Sequence, residues 1–343
     1  MTGGEDVMRC VIRARSGMTW SIAAAVWLCP LVSWAQTAAT GSGQAFPSRY
    51  VRYIVPFGAG SSPDIVGRIL AERFTRVWGQ QVMVDNRVGA AGVLGTAFVV
   101  NSPPDGHTLL QCNIASSAIA VSLFAKMPYD QLREVAPVTR IGLTPNIITV
   151  HPSMPIHTIK GLIAYARAHP NKLSYASGLA GTSPQLSMEL LKLKAKIDVV
   201  NIPYRIGAQA MSDNIAGQIP VGISNFPASV SPVQSGRLRP LAVTSATRVA
   251  QLSKVPTVEE AGLPGFDVNS WQGVCAPAGT PAALLDRINA DINSVLRMPD
   301  IRARMEELVM VGPQTTREEF DQFIRAEITR WAQVIKDAGI QQQ

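Results

Sequence analysis

The chain has 343 residues, of which 47% are hydrophobic and 16% are charged, and its formal net charge is +7. Its length is enough for an N-terminal segment followed by two domains of ordinary size. The basic residues are spread along the chain, without a Lys- and Arg-rich cluster interleaved with aromatic residues, so the sequence disfavours nucleic-acid binding. Beyond the N-terminal segment, no apolar run reaches the length of a membrane-spanning helix.

The N-terminal segment has the layout of a secretory signal peptide. Arginines at positions 9, 13 and 15 precede an apolar run at 18–32, and the small-x-small sequence Ser33-Trp34-Ala35 follows it as a cleavage site. We therefore predict a signal peptide at 1–35, export to the periplasm, and a flexible lead-in at 36–45.

The first folded unit is a strand, a loop of small residues and a helix within 51–78. The strand at 51–55 is rich in β-branched and aromatic residues, the loop at 58–62 has almost no side chains, and Pro63 suits the first helical position. Such a loop presents N–H groups and hydroxyls at a helix N-terminus, where a carboxylate or phosphate binds. It lacks the third glycine of the dinucleotide pattern and the lysine of a P-loop, so a tight turn without a ligand is the alternative.

Alternating strands and helices follow, which indicates an α/β fold with parallel pairing. The strand at 107–113 ends in the small and polar residues of 113–117, which we predict as a second loop at the same cleft. In the second half, a strand at 173–176, a small-residue loop at 177–183 and a proline at 184 repeat the arrangement of the first unit. Such loops are common in α/β proteins, but two of them in separate halves favour a ligand held between two domains.

The residues that carry chemistry form no catalytic or metal-binding pattern. The four histidines lack metal-ligand spacing, no Gly-x-Ser-x-Gly motif is present, and no nucleophile is paired with a base. We therefore predict that the protein is not an enzyme and needs no cofactor or metal. Cys112 and Cys275 lie in apolar, strand-like stretches, and although export permits a disulfide, their distance along the chain favours buried free thiols.

Eight ordered blocks of the sequence resemble the periplasmic receptors of tripartite tricarboxylate transporters, also called Bug receptors. Three of the blocks are FPSRYVRYIVPFGAGSSPDIVGRILAE (46–72), VDNRVGAAGVLGT (84–96) and VPTVEEAGLPGFDVNSWQGVCAPAGTP (255–281). The others are at 103–110, 124–130, 136–142, 236–248 and 288–296, so the resemblance covers essentially all of 46–340.

The resemblance implies a two-domain, type II-like α/β binding protein of the Venus-flytrap kind, in which each domain is a mostly parallel sheet flanked by helices. Residues 46–146 and 269–343 would form domain 1, and residues 147–268 would form domain 2, with hinges near Thr149 and Asn269. The expected function is to capture a small carboxylated metabolite, a di- or tricarboxylate or an aromatic acid, and to deliver it to the membrane permease subunits of such a transporter. The alternative is a ligand-sensing co-receptor for a membrane histidine kinase, since the same closure around a ligand would serve it, and a monomer is expected in either role.

The resemblance also implies which residues bind the ligand, partly through ordered waters. The first loop and helix contribute Phe57, Gly60, Ser61, Ser62 and Asp64, the end of the third strand contributes Asn113 and Ser116, and the second domain contributes Ser177, Gly178, Thr182, Ser183, Tyr204 and Asn225. Asp64 is equally well explained as a favourable charge in a first helical turn.

Two positions depart from the family pattern in ways that concern the ligand. Arg205-Ile206-Gly207 stands where the family often has Lys-Gly followed by a proline, and Ser224 stands where an aspartate is common. Without that acid there is no partner for a ligand ammonium group, so an amino-acid ligand is disfavoured.

Overall fold

The computed structural model describes residues 46–177, 181–337, 339–340 and 342. The predicted signal peptide at 1–35, the lead-in at 36–45 and the predicted site residue Gly178 lie outside the described residues. In the part that is described, no helix combines the length and the apolar character needed to cross a membrane.

Strands and helices alternate along the described chain, as the hydrophobic pattern predicts. The strands are β1 (Val51–Val55), β2 (Val82–Asn86), β3 (Thr108–Asn113), β4 (Val135–Val150), β5 (Ser174–Ala176), β6 (Val200–Ile202), β7 (Val221–Asn225), β8 (Arg239–Val243) and β9 (Asn269–Pro277). The α-helices are α1 (Ser62–Trp78), α2 (Val93–Val100), α3 (Ala120–Leu123), α4 (Gln131–Glu134), α5 (Ile159–Ala168), α6 (Ser183–Ala195), α7 (Gly207–Ile215), α8 (Phe226–Gln234), α9 (Ala282–Arg297), α10 (Pro299–Glu307) and α11 (Arg317–Asp337). Shorter helical segments are 3-10 turns at Ala90–Gly92 and Ala250–Leu252 and a π-helix at Ala115–Ile119.

These strands form one hydrogen-bonded path in the order β2-β1-β3-β9-β4-β7-β5-β6, and β8 pairs with β4. Parallel pairing joins β1 to β2 and β3 in one half, and β5 to β6 and β7 in the other. Between the halves, β9 is antiparallel to β3 and β4, and β4 is antiparallel to β7 and β8. Parallel pairing is therefore confined to the outer strands, whose carboxyl ends meet at one edge within each half.

The long strand β4 belongs to both halves of the sheet. It pairs with β9 as far as Pro145 and with β7 from Asn146 onward. This change of partner lies beside the predicted domain boundary. Movement of the halves about Thr149 and Asn269 stays a prediction.

Helix α1 shows how local sequence and packing place a loop. Pro63 lies in its first turn, where a missing N–H costs nothing, and Gly79 ends it in the left-handed conformation at φ 65°. The buried face includes Leu70 and Phe74, and the Phe74 ring meets the Tyr53 ring of β1 with 6.2 Å between centroids. Burial of this face holds the start of α1, and with it the loop that precedes the helix, at the end of β1.

The prediction of free thiols is wrong, because Cys112 and Cys275 form a disulfide with 5.8 Å between their Cα atoms. Cys112 lies on β3 and Cys275 on β9, and these neighbouring antiparallel strands bring the two side chains together. The residues are 163 positions apart in the chain, so their adjacency depends on the sheet order, which the hydrophobic pattern does not reveal. The bond accords with the predicted export.

The stretch 113–117, predicted as a loop, instead consists of the last residue of β3 and the start of a helix. The π-helix at Ala115–Ile119 begins there and continues into α3. Ile114, Ala118 and Ile119 are buried, so packing of these apolar side chains stabilises a helix despite the small polar residues between them. Ser116 is consequently turned into the core, where it has no exposed surface.

Candidate functional site

Loops and helix ends from both halves of the sheet enclose a cavity of about 310 Å³, a volume suited to a small metabolite. One wall is built from residues that follow β1 and β3 and from β9, and the other from residues around the N-terminal ends of α6, α7 and α8. The structure brings most of the predicted site residues together along these walls. Those that line the cavity are Phe57, Gly60, Ser61, Ser62, Asn113, Ser177, Thr182, Ser183 and Asn225.

Asp64 does not line the cavity but fastens the first loop from behind. Its Oδ2 accepts from the Gly60 N–H at 2.9 Å and from Arg68 Nε at 3.0 Å, and its Oδ1 accepts from Asn86 Nδ2 at 2.9 Å. Asn86 Nδ2 also donates to the Phe57 carbonyl at 2.8 Å. Burial alone raises the pKa of Asp64, but the hydrogen bonds from Arg68, Gly60 and Asn86 outweigh it and hold that pKa below its usual value. Of the two interpretations of Asp64, the structure favours the helix-start residue.

A chain of buried side chains presents the Ser62 hydroxyl to the cavity. Gln272 Nε2 donates to Ser62 Oγ at 2.8 Å, and the Gln272 side-chain carbonyl accepts from Gln111 Nε2. All three side chains are buried, and Ser62 and Gln272 also line the cavity. Because Ser62 Oγ accepts a hydrogen bond from Gln272, its own proton is left to donate to a bound anion.

Asn113 supplies a second donor. Its Oδ1 accepts from the N–H groups of Ala115 at 2.9 Å and Ser116 at 3.3 Å, which caps the helical segment that follows β3. Its Nδ2 is buried and has no hydrogen-bond partner among the described residues. A buried unpaired N–H costs about 1–3 kcal/mol, so a ligand or a water that accepted a hydrogen bond from this donor would be stabilised in the cavity.

Four helix N-termini converge on this cavity. Ser61 to Pro63 bring the start of α1 to the cavity wall, Thr182 to Pro184 that of α6, Gly207 and Ala208 that of α7, and Asn225 that of α8. The N-cap residues of α1, α7 and α8 make no side-chain capping hydrogen bond. Each N-terminus carries roughly half a positive charge, so the four together create an anion-binding environment.

A buried amide network holds the second wall in place. Asn225 Nδ2 donates to Asn146 Oδ1 at 2.6 Å and to Ser183 Oγ at 3.4 Å. Asn146 Nδ2 donates to Ser187 Oγ at 2.9 Å, and Ser187 Oγ in turn donates to the Ser183 carbonyl at 2.8 Å. The network ties the start of α6 to the end of β7, so the two helix N-termini there are held as one unit.

The two halves of the sheet come close together at two glycines, Gly58 and Gly181. A Cβ added to Gly58 would lie 3.2 Å from Ile206 Cγ2, and one added to Gly181 would lie 2.6 Å from Leu123 Cδ2. Gly58 and Leu123 belong to the half of the sheet that holds β1 and β3, whereas Ile206 and Gly181 belong to the other half. Glycine at both positions therefore lets the walls approach closely enough to surround a small ligand.

Two further predicted site residues, Tyr204 and Ser116, do not line the cavity. Tyr204 donates its hydroxyl proton to Asp213 at 2.7 Å, and burial together with the Asp213 carboxylate raises the pKa of Tyr204 to about 12. Ser116 is fully buried, and its carbonyl accepts from the Tyr129 hydroxyl at 3.3 Å. Tyr204 and Ser116 thus support the walls from outside the lining.

Several lining residues were not predicted. Gln272 and Ser270 come from β9, and Ser224 is the residue before the last of β7. Met211 lies in α7, where its helical spacing is equally typical of core packing. Arg205 also lines the cavity, and its only signal in the sequence is its departure from the family pattern. The β9 residues carried no signal in the sequence, because a side-chain hydrogen bond across 161 positions links Gln272 to Gln111.

The charge of the cavity lining is positive. Among the described residues, Arg205 is the one charged side chain that lines the cavity, and no aspartate or glutamate does so. No group of three His, Cys, Asp or Glu side chains in the described parts of the chain is placed to hold a metal ion. The arrangement is suited to binding an anion through N–H groups, hydroxyls and one guanidinium.

Comparison with known proteins agrees with this geometry. The family model described as "Tripartite tricarboxylate transporter family receptor" matches residues 66–340. The protein BugT of Bordetella pertussis is 34% identical over 313 residues, which are 90% of this chain and 95% of BugT.

Two solved structures share the fold. The R. palustris protein Rpa4515 with adipate superposes with a TM-score of 0.84 at 33% identity, covering 87% of this chain and 100% of that one. MatC from Rhodopseudomonas palustris with bound malate superposes with a TM-score of 0.78 at 28% identity, covering 84% of this chain and 100% of that one. The predicted α/β binding-protein fold is confirmed.

Proposed function

Because the chain belongs to the tripartite tricarboxylate transporter receptor family, as its sequence blocks predict, we propose that it is an extracytoplasmic solute-binding protein that captures a small carboxylate in the cavity described above. Captured ligand is handed to the membrane permease of a tripartite tricarboxylate-type transporter. Residues 1–35 direct the chain to the periplasm, where such a receptor meets its ligand.

The observation that carries the proposal is the charge pattern of the cavity. Four helix N-termini and Arg205 face it, and none of the described lining residues is acidic. A cationic or zwitterionic ligand would leave an ammonium group without a carboxylate partner, at a cost of several kcal/mol for a desolvated charge. A carboxylate instead satisfies the Ser62 hydroxyl and the unpartnered Asn113 amide.

The rest of the lining suits a hydrocarbon body attached to that carboxylate. Phe57, Ile114, Met211 and Ala228 contribute apolar surface to the walls. A sugar or a nucleotide would place many hydroxyls against these side chains, whereas a short aliphatic or aromatic acid buries its carbon skeleton there. The adipate and malate in the similar R. palustris structures are ligands of this size and class.

The test is a thermal-shift screen of the mature chain against aliphatic, hydroxylated and aromatic carboxylates. At a hundredfold excess over Kd, a ligand that binds only the native state adds about 2.7 kcal/mol to the free energy of unfolding. For a chain of this size that raises Tm by about 5 °C or more.

A cavity-filling variant shows whether the ligand occupies the cavity. Ala228 lines it in the first turn of α8, so Ala228→Phe fills the space that a ligand needs. Ala164 is exposed on α5, and Ala164→Phe is the matched control. We expect a carboxylate to stabilise the original chain and the Ala164→Phe variant but not the Ala228→Phe variant. A well-folded original chain that responds to no carboxylate, and that releases none on denaturation, would contradict the proposal.

A further inference from the structure

Arg205 differs from every other residue of the cavity. It is the one charged side chain among the described lining residues, and it is exposed. Within the described chain it makes no ion pair and no side-chain hydrogen bond. Its guanidinium carries five N–H donors that are ready for an acceptor.

The position of Arg205 is unfavourable unless an anion is nearby. It lies two residues before Gly207, the first residue of α7, and a cation at a helix N-terminus is repelled by the helix dipole. By contrast, both lysines of α6, Lys192 and Lys194, lie in the last turn of that helix, where the dipole favours them. The nearest acid on α7, Asp213, already accepts a hydrogen bond from Tyr204. The contacts within the described chain therefore do not stabilise an arginine at position 205, whereas a bound anionic ligand would stabilise it.

Arg205 is more exposed than Asn113, Ser62 and Ser183, the buried polar residues of the cavity that we call the inner donors. Asn113, Ser62 and Ser183 are 3%, 2% and 2% exposed, whereas Arg205 is exposed at the outer side of the same cavity. Apolar side chains, among them Phe57, share the lining with them. A ligand with one carboxylate at the inner donors would place its carbon chain along this apolar surface and its other end near Arg205.

We propose that Arg205 binds the second carboxylate of a dicarboxylate whose first carboxylate is held by Asn113 and the inner helix N-termini. This inference rests on the proposed function and deepens it, because it names the ligand class and the residue that selects it. A guanidinium binds a carboxylate through two parallel N–H···O hydrogen bonds. A monocarboxylate has no second carboxylate to accept these hydrogen bonds at the Arg205 end of the cavity. The cavity therefore prefers a diacid to the corresponding monoacid.

The experiment is a thermodynamic cycle measured by isothermal titration calorimetry. Its ligands are succinate, glutarate and adipate, each paired with its own monoamide, which keeps the length and removes the second charge. Its proteins are the original chain, Arg205→Gln, Arg205→Lys and Arg237→Gln. Arg237 is exposed beyond the C-terminal end of α8, so Arg237→Gln changes the net charge equally without touching the cavity.

We expect Arg205→Gln to weaken the best diacid by roughly tenfold, the factor that corresponds to one charge-assisted contact, and to leave its monoamide nearly unchanged. Arg205→Lys should recover part of the loss, Arg237→Gln should change neither ligand, and the loss should shrink at high salt. Two outcomes would overturn the inference while leaving carboxylate capture intact. One is that Arg205→Gln weakens the diacid and its monoamide equally, and the other is that the original chain binds the monoamide with the same affinity as the diacid. If no carboxylate binds the original chain at all, the proposed function fails first.

Discussion

Replacing Asp64 by alanine separates two roles for this residue, that of a ligand contact and that of a fastener of the first loop. The substitution leaves the Gly60 N–H and the Asn86 amide without their acceptor and breaks the contact with Arg68. Each neutral hydrogen bond is worth about 1 kcal/mol, and the charged contact is worth less than a buried pair because the Arg68 side chain is 55% exposed. We therefore expect the free energy of unfolding to fall by about 2–4 kcal/mol.

The effect should also depend on pH in a defined direction. The folded-state pKa of Asp64 lies below its unfolded value, so the carboxylate stabilises the fold fully above the unfolded pKa of about 3.9. That contribution is lost as the pH falls through the folded-state pKa. The difference in stability between the original chain and Asp64→Ala should therefore be constant near neutral pH and shrink below about pH 4.

Urea denaturation of the ligand-free proteins between pH 3 and pH 7 measures both effects. Glu72→Gln is a matched control on the same helix, because Glu72 and its partner Arg76 are 70% and 62% exposed and such a pair contributes little. We expect Asp64→Ala also to weaken carboxylate binding, since the loop at 58–62 loses its anchor. If Asp64→Ala leaves the stability unchanged but alters the ligand affinity, the role of Asp64 as a fastener of the loop is refuted, and Asp64 is a ligand contact instead.

Three other predictions follow from particular contacts. Replacing Cys112 and Cys275 together by alanine should lower the free energy of unfolding by about 2–5 kcal/mol, measured by thermal denaturation, and an unchanged Tm would contradict the disulfide. Asn113→Asp keeps the capping oxygen but replaces the unpartnered donor by a negative charge, so calorimetry should show carboxylate affinity at least roughly tenfold weaker with little loss of stability. Gly181→Ala should weaken binding because its Cβ would lie 2.6 Å from Leu123, and Leu123→Ala should restore only part of the affinity since φ +77° at position 181 remains strained. Full affinity in Gly181→Ala would show that the two walls do not need this close approach.

Local features of the chain were sufficient to predict how each half is built. The loops before α1 and α6 were predicted from the small residues that follow a strand and from the proline that begins the next helix. Such a prediction works because backbone freedom and helix initiation depend on neighbouring residues alone. The ordered sequence blocks identified the family. Nine of the predicted site residues line the cavity for the same local reason, although their contacts with a ligand stay a prediction.

The structure of the segment that follows β3 could not be predicted from its local sequence. The small polar residues after Asn113 resemble a loop, but buried Ile114 and Ile119 pack in the core and support a helix there. That helix turns Ser116 inward and leaves Asn113 at the cavity, where its Nδ2 has no hydrogen-bond partner in the described part of the chain. Packing against distant elements therefore decided that Asn113, and not Ser116, lines the cavity.

The sequence by itself determined the alternation of strands and helices, the small-residue helix starts and the family, whereas the signal peptide at 1–35 stays a prediction. Only the tertiary structure decided that Cys112 bonds to Cys275, that Gln111 orients Gln272 toward Ser62, and that Arg205 lines the cavity without a partner among the described residues. The physical reason is the order of the strands: β9 lies between β3 and β4 although it comes last in the chain, so contacts that build the cavity join residues more than 160 positions apart. Hydrophobic periodicity records which face of an element is buried, but not which other element covers it.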